Sequence, residues 1–307
     1  MRFLALAAVL PTLIIPAAPT AQGPQRSDVS AMLPAEPVEV PMRMVNRRPI
    51  VDVHINGGGP YSFLIDTGGS GLARADKSLV EKLKLEVVGE ARGAAGTGGQ
   101  VVSMPIVRYS TLEIGGAVFK NVDAPSRDYN EGRDTRIDGV LGIGLFSTCL
   151  VTLDFVRSVL RIERGTLPEP DGKEVFPFTN PRGIAELPIR VAGAEIVAHV
   201  DSGAMADITL PLSFAEKLPL TSAPVVVGKA VTVSGPMEIS EAALKGNVEI
   251  GRHQIVDPTL QFTPAMRQAN LGIGVLSEFA LTIDQQNRRM RFTRSGNEPL
   301  RLKPRRR

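Results

Sequence analysis

Two short segments of this chain carry the residues best suited to chemistry. Phe63-Leu64-Ile65-Asp66-Thr67-Gly68 is matched by Ala198-His199-Val200-Asp201-Ser202-Gly203, so an apolar run ends twice in Asp-Thr/Ser-Gly. Two carboxyl groups held about 3 Å apart repel by roughly 5 kcal/mol when both are ionised, taking an effective dielectric near 20. Their two ionisations therefore lie about 4 pKa units apart, and the pair keeps one proton across a broad acidic to near-neutral range. The ionised member makes a water nucleophilic and the protonated member supplies a proton to a carbonyl oxygen. That chemistry needs neither a metal nor a nucleophilic side chain.

The surroundings of the two aspartates also repeat. Glu81-Lys82-Leu83-Lys84-Leu85 starts 81 − 66 = 15 residues after Asp66, and Glu216-Lys217-Leu218-Pro219-Leu220 starts 216 − 201 = 15 after Asp201. Leu141-Gly142-Ile143-Gly144 recurs as Leu271-Gly272-Ile273-Gly274, an offset of 271 − 141 = 130 that also carries Ser147, Thr152 and Asp154 onto Ser277, Thr282 and Asp284. An alternating strand precedes each aspartate: Val51-Asp52-Val53-His54-Ile55 and Leu187-Pro188-Ile189-Arg190-Val191. The chain is an internal duplication whose copies are far longer than solenoid repeats, and a duplicated aspartate places a site where the copies meet. Each neighbour has a physical reason. The hydroxyls of Thr67 and Ser202 suit hydrogen bonds across the junction, and Gly68 and Gly203 let backbone approach the carboxylates closely.

These motifs resemble the retropepsin-like aspartic proteases, in the single-chain, two-lobe form of bacterial secreted proteins. The resemblance covers roughly residues 38 to 295. It rests on Asp-Thr-Gly, Asp-Ser-Gly and the later Val140-Leu141-Gly142 and Asn270-Leu271-Gly272. It implies an all-β, bilobal acid-protease fold of two similar β-barrel lobes with short helices. It further implies that Asp66 and Asp201 are catalytic, that Thr67, Gly68, Ser202 and Gly203 support them, and that the substrate is a polypeptide. Sharing of one proton is a known property of aspartic-protease dyads, applied to this pair rather than deduced from it. Two departures stand out. Asn270 occupies a position where the family prefers an apolar residue, and Gly69-Ser70-Gly71 and Ala204-Met205-Ala206 replace the acidic residues that grip substrate backbone in retroviral relatives.

A covering flap is expected from Arg92 to Gln100, with Gly96, Thr97, Gly98 and Gly99 at its tip. The second copy offers Val231 to Met237, where Pro236 stiffens the turn, so one working flap over an asymmetric cleft is expected. Helical pattern is brief, at Ser78 to Leu85 and Leu212 to Leu218; the remainder reads as strands. The expected layout is 1–21 export signal, 22–37 linker or short pro-segment, 38–165 first lobe, 166–182 hinge-like connector, 183–297 second lobe and 298–307 basic tail.

Arg2 followed by the apolar stretch Phe3 to Ile15 supports export to the periplasm or medium, with an uncleaved anchor as the variant. The 307 residues include 43% hydrophobic and 5% aromatic side chains, enough for two aliphatic cores. Of the formal charge of +3, the tail Arg301 to Arg307 alone carries five positive charges, so a general nucleic-acid surface is not indicated. The tail reads as a solvated terminus, with weak contact to envelope or membrane surface as the alternative. Cys149 has no disulfide partner and reads as core. His54, His199 and His253 lack metal-ligand spacing, and no metal or cofactor is expected. His199 alternates onto the side of Asp201 and reads as structural. Lobe pairing within one chain makes a monomer the expected state. The alternative to a peptidase is a catalytically inactive binding or scaffold protein of the envelope built on the same fold.

Overall fold

The alternation around Val51 becomes a strand in which Val51, Val53 and Ile55 are fully buried while Asp52 and His54 face solvent. In the computed structural model, which describes residues 29–94, 101–131, 135–181, 183–232 and 235–302, this period-two pattern dominates. The first copy contains β1 (Ser30–Met32), β2 (Val38–Pro41), β3 (Arg43–Val45), β4 (Arg48–Ile55), β5 (Gly58–Asp66), β6 (Ala73–Asp76) and α1 (Lys77–Leu83). It continues with β7 (Val87–Ala94), β8 (Val101–Ile114), β9 (Ala117–Arg127), β10 (Gly139–Gly142), β11 (Leu150–Asp154) and β12 (Val159–Glu163). The second copy has β13 (Val175–Pro177), β14 (Glu186–Val191), β15 (Ala194–Val200), β16 (Ile208–Pro211), β17 (Val225–Thr232) and β18 (Gly235–Ala243). It ends with β19 (Asn247–Ile250), β20 (His253–Val256), β21 (Thr259–Thr263), β22 (Ala269–Leu271), α2 (Ile273–Leu276), β23 (Ala280–Asp284) and β24 (Arg289–Thr293).

In the first lobe the strands run β9-β6-β10-β5-β4-β8, and β8 pairs back onto β9 to close the ring. The second lobe follows the same path with its long hairpin broken into β18–β19 and β20–β21. Gly246, at φ +122°, and Pro258, which has no amide hydrogen to donate to a ladder, sit at the breaks. A third, six-stranded sheet in the order β13-β24-β23-β11-β12-β2 joins the lobes. At its centre β11 and β23 pair antiparallel with Thr152 opposite Thr282, their hydroxyls 2.9 Å apart. These are the residues that the sequence offset makes equivalent, so the duplication axis passes between them. One apolar cluster runs through both lobes and the shared sheet.

The first expected helix is α1, N-capped by Asp76, whose Oδ1 accepts from the Ser78 amide at 2.9 Å. The second is a 3-10 turn, Leu212–Lys217. Two expectations need correction. The segment read as linker contains β1, which pairs with β9. The connector is no loose hinge: Asp171 Oδ1 accepts from the amides of Lys173, Glu174 and Val175, β13 joins the shared sheet, and Leu167 and Val175 are buried with Leu150. Just before the run read as a solvated terminus, Leu300 is buried and donates its amide to Gln254 O at 2.7 Å, while Arg301 is exposed and residues 303–307 lie outside the described residues. No helix among the described residues is long and apolar enough to cross a membrane.

Candidate active site

Asp66 ends β5 and Asp201 directly follows β15, and the lobe junction brings the two loops face to face. Four hydrogen bonds lock them. Thr67 Oγ1 donates to Val200 O at 2.7 Å and accepts from the Ser202 amide at 2.9 Å. In return Ser202 Oγ donates to Ile65 O at 2.7 Å and accepts from the Thr67 amide at 3.0 Å. Both hydroxyl residues are wholly buried, so each bond is isolated from competing water. The expected bonding across the junction is therefore present, and it is reciprocal.

The glycines explain themselves by what a side chain would strike. A Cβ at Gly68 would lie 2.3 Å from Asp201 Cγ, and one at Gly203 would lie 2.7 Å from Asp66 Oδ1. Each lobe's glycine thus faces the other lobe's aspartate. Behind the loops, β10 runs parallel to β5 with Gly142 opposite Asp66, while β22 runs parallel to β15. A Cβ at Gly142 would meet Gly71 O at 2.5 Å, and one at Gly272 would meet Ala206 O at 2.3 Å. The repeated Leu-Gly-Ile-Gly marks where backbone passes against the aspartate loop.

A family model described as aspartyl protease matches the chain twice, over residues 51–145 and 187–276. The chain belongs to the aspartyl protease family. No curated protein matches it. Each match carries one aspartate of the pair, as the duplicated, retropepsin-like organisation of this aspartyl protease family member requires.

The two carboxyl groups lie close enough for each to act on the ionisation of the other. Asp66 is pushed up to about 7, first because its surroundings exclude water and then because the Asp201 charge opposes a second one; the Arg74 charge works in the opposite direction. Asp201 is also raised by desolvation, but it accepts from Asn270 Nδ2 at 3.0 Å, the Gly203 amide at 2.9 Å and the Ala204 amide at 3.0 Å, all favouring its ionised form. Asp66 keeps 22% of its side-chain surface open, which leaves the pair within reach of a ligand.

Neighbouring residues sort into those the sequence marks and those it does not. His199 Nε2 lies 3.1 Å from Glu186 Oε1, consistent with a structural role. His253 bonds Phe292 O in the core, and burial pushes the Cys149 thiol up to about 12, so it is no nucleophile. Arg74 was not singled out. Its guanidinium lies 3.8 Å from Asp66 Oδ2 and donates to Ser70 O at 2.8 Å. Arg47 was missed as well; it crosses from the first lobe to Asp207 Oδ1 at 2.9 Å. Asn270 was marked only as a departure, and its contact with Asp201 gives that departure a use.

The expected flap tip, Gly96, Thr97, Gly98 and Gly99, lies outside the described residues. Its stem is the β7–β8 hairpin, and the second lobe carries a counterpart in β17–β18. The lead strands β7 and β17 each have 8 residues, so the stems are alike, while the asymmetry expected of the flaps concerns tips that lie outside the described residues.

Proposed function

We propose that the protein is an aspartic endopeptidase that hydrolyses polypeptides with a water held jointly by Asp66 and Asp201. The observation carrying this reading is the contact of two carboxyl groups, one from each copy, inside a buried reciprocal hydrogen-bond lock. In the monoprotonated pair the carboxylate removes a proton from water as it attacks the scissile carbonyl. The carboxylic acid protonates the carbonyl oxygen, and collapse of the tetrahedral intermediate passes a proton to the leaving amine. The rigid lock supplies the orientation that such a step needs. Hairpins β7–β8 and β17–β18 are proposed to close over the bound chain and exclude water. The export-like N-terminus, Arg2 followed by Phe3 to Ile15, supports a periplasmic or secreted setting for this activity.

The test is cleavage of a diverse peptide library by residues 22–307, by Asp66→Asn and by Asp201→Asn, from pH 3.5 to 7.5. Cleavage by the wild type, reduced at least a thousandfold by either substitution, is the expected result. Folded wild type that cleaves nothing at any pH would favour the binding or scaffold reading.

A further inference from the structure

We propose that Asn270 polarises the pair, holding Asp201 as the carboxylate that takes the proton from water and leaving the shared proton on Asp66. This assignment of roles rests on the peptidase reading above, and the strand ladders argue it from inside the molecule. Across the first lobe Ile50, Leu64, Val140 and Arg74 stand side by side on adjacent strands. The equivalent row in the second lobe is Glu186, His199, Asn270 and Thr209. Leu64 and His199 each lie two residues before the aspartate, so both rows share the aspartates' face of the sheet.

The duplication therefore provides an internal comparison. Behind Asp66 stands Val140, packed in an apolar cluster with Ile50, Leu64, Tyr129 and Ile137 and unable to donate. Behind Asp201 stands Asn270, buried, with its amide nitrogen on Asp201 Oδ2 and its Oδ1 left without a partner. A buried amide oxygen left without a partner is a cost to the fold. Such a residue, in a row that the other copy fills largely with hydrocarbon, is a specific device and not filler.

The charged and titratable groups around the pair define the balance. From β5 comes Asp66 itself, and from β6 comes Arg74, 3.8 Å from Asp66 Oδ2. Tyr129 also senses Arg74 and Asp66. From β14 and β15 come Glu186 and His199, bonded to each other. Asp207, at the far end of the Asp201 loop, is paired with Arg47. Arg74, at ion-pair distance, and the Gly68 amide favour ionised Asp66, whereas three donors at 2.9–3.0 Å converge on Asp201, the Asn270 amide being the one that the first lobe does not match. Hydrogen bonds made to a charged group outweigh a longer, partly solvated ion pair.

The test reads the protons directly, without turnover. The chain is labelled with 13Cγ-aspartate and titrated by NMR from pH 3 to 8.5, with Asp66→Asn and Asp201→Asn assigning the two signals. The expected result is a carboxylate signal from Asp201 and a carboxylic-acid signal from Asp66 at pH 5. In Asn270→Val the Asp201 inflection moves up by about one pH unit or more, since the lost bond favoured the ionised form. The acid limb of kcat/KM rises with it. Should Asn270→Val fail to fold, Asn270→Ser, too short to reach Asp201, is expected to give the same upward shift. Ionisation of Asp66 before Asp201 in the wild type overturns the assignment, as does an Asp201 inflection that stays put or falls in the variants. A downward shift would mean that the amide presents Oδ1 to a protonated Asp201. A wild type that titrates as expected yet cleaves no peptide would count against the peptidase reading alone.

Discussion

At the scale of single residues, Asp66 links function to stability. Its carboxyl is raised to about 7 in the folded chain from an ordinary 3.8. An acid with a raised folded pKa weakens folding as pH climbs between those values, because the unfolded chain ionises freely while the folded chain must accommodate the charge. Well below pH 3.8 both states hold the proton and the penalty vanishes. Asp66→Asn is therefore expected to raise the melting temperature at pH 8, relieving on the order of a few kcal/mol, and to leave it nearly unchanged at pH 3. An equal effect at both values, measured by differential scanning calorimetry, would contradict the origin given for the shift. Thr67→Val tests the lock from another side. It leaves the buried Ser202 amide without its acceptor and Val200 O without its donor, for a loss of about 1–3 kcal/mol per group. Urea unfolding reads this loss, and Thr67→Ser, which keeps the hydroxyl, is expected to recover most of it.

At the scale of elements, the threaded strands β10 and β22 carry the aspartate loops. Gly142→Ala would set a methyl group 2.5 Å from Gly71 O, where only backbone can yield. Several kcal/mol of destabilisation and loss of any peptidase activity are expected. Gly89→Ala in β7 meets only the end of Ile106 at 3.9 Å and should change stability by less than about 0.5 kcal/mol. Thermal melts of the two variants make the comparison, and equal losses would refute it. This element was legible in the sequence, because Leu-Gly-Ile-Gly recurs at a fixed offset and each glycine answers a local steric demand. The equal hairpin stems were less legible. Pro236 suggested a stiff, shortened flap, yet it takes a regular ladder position opposite Val231. Arg74 and Arg47 were illegible for a different reason. Arg47 reaches across to the other lobe and Arg74 folds back on its own aspartate loop, and surface-type residues give no periodic signal of either contact. Asn270 lay between these cases: comparing the copies marked it, but only the parallel pairing of β15 with β22 placed its amide on Asp201.

At the scale of the whole molecule, the offset that carries Thr152 onto Thr282 in the sequence becomes the register at the centre of the shared sheet. The duplication thus predicted the lobe junction. The linker, connector and tail were less legible, because β1, β13 and Leu300 are pairings of very few residues whose partners lie far along the chain. With both lobes in one covalent frame, the proposed function requires one complete site per chain. Titration with a statine-type transition-state analogue, followed by calorimetry at pH 5, tests this central claim most directly. The account predicts saturation at one inhibitor per chain, with heat abolished in Asp66→Asn and Asp201→Asn alike. Saturation at one inhibitor per two chains, or binding that survives either substitution, would contradict a site built jointly by the two aspartates of a single chain.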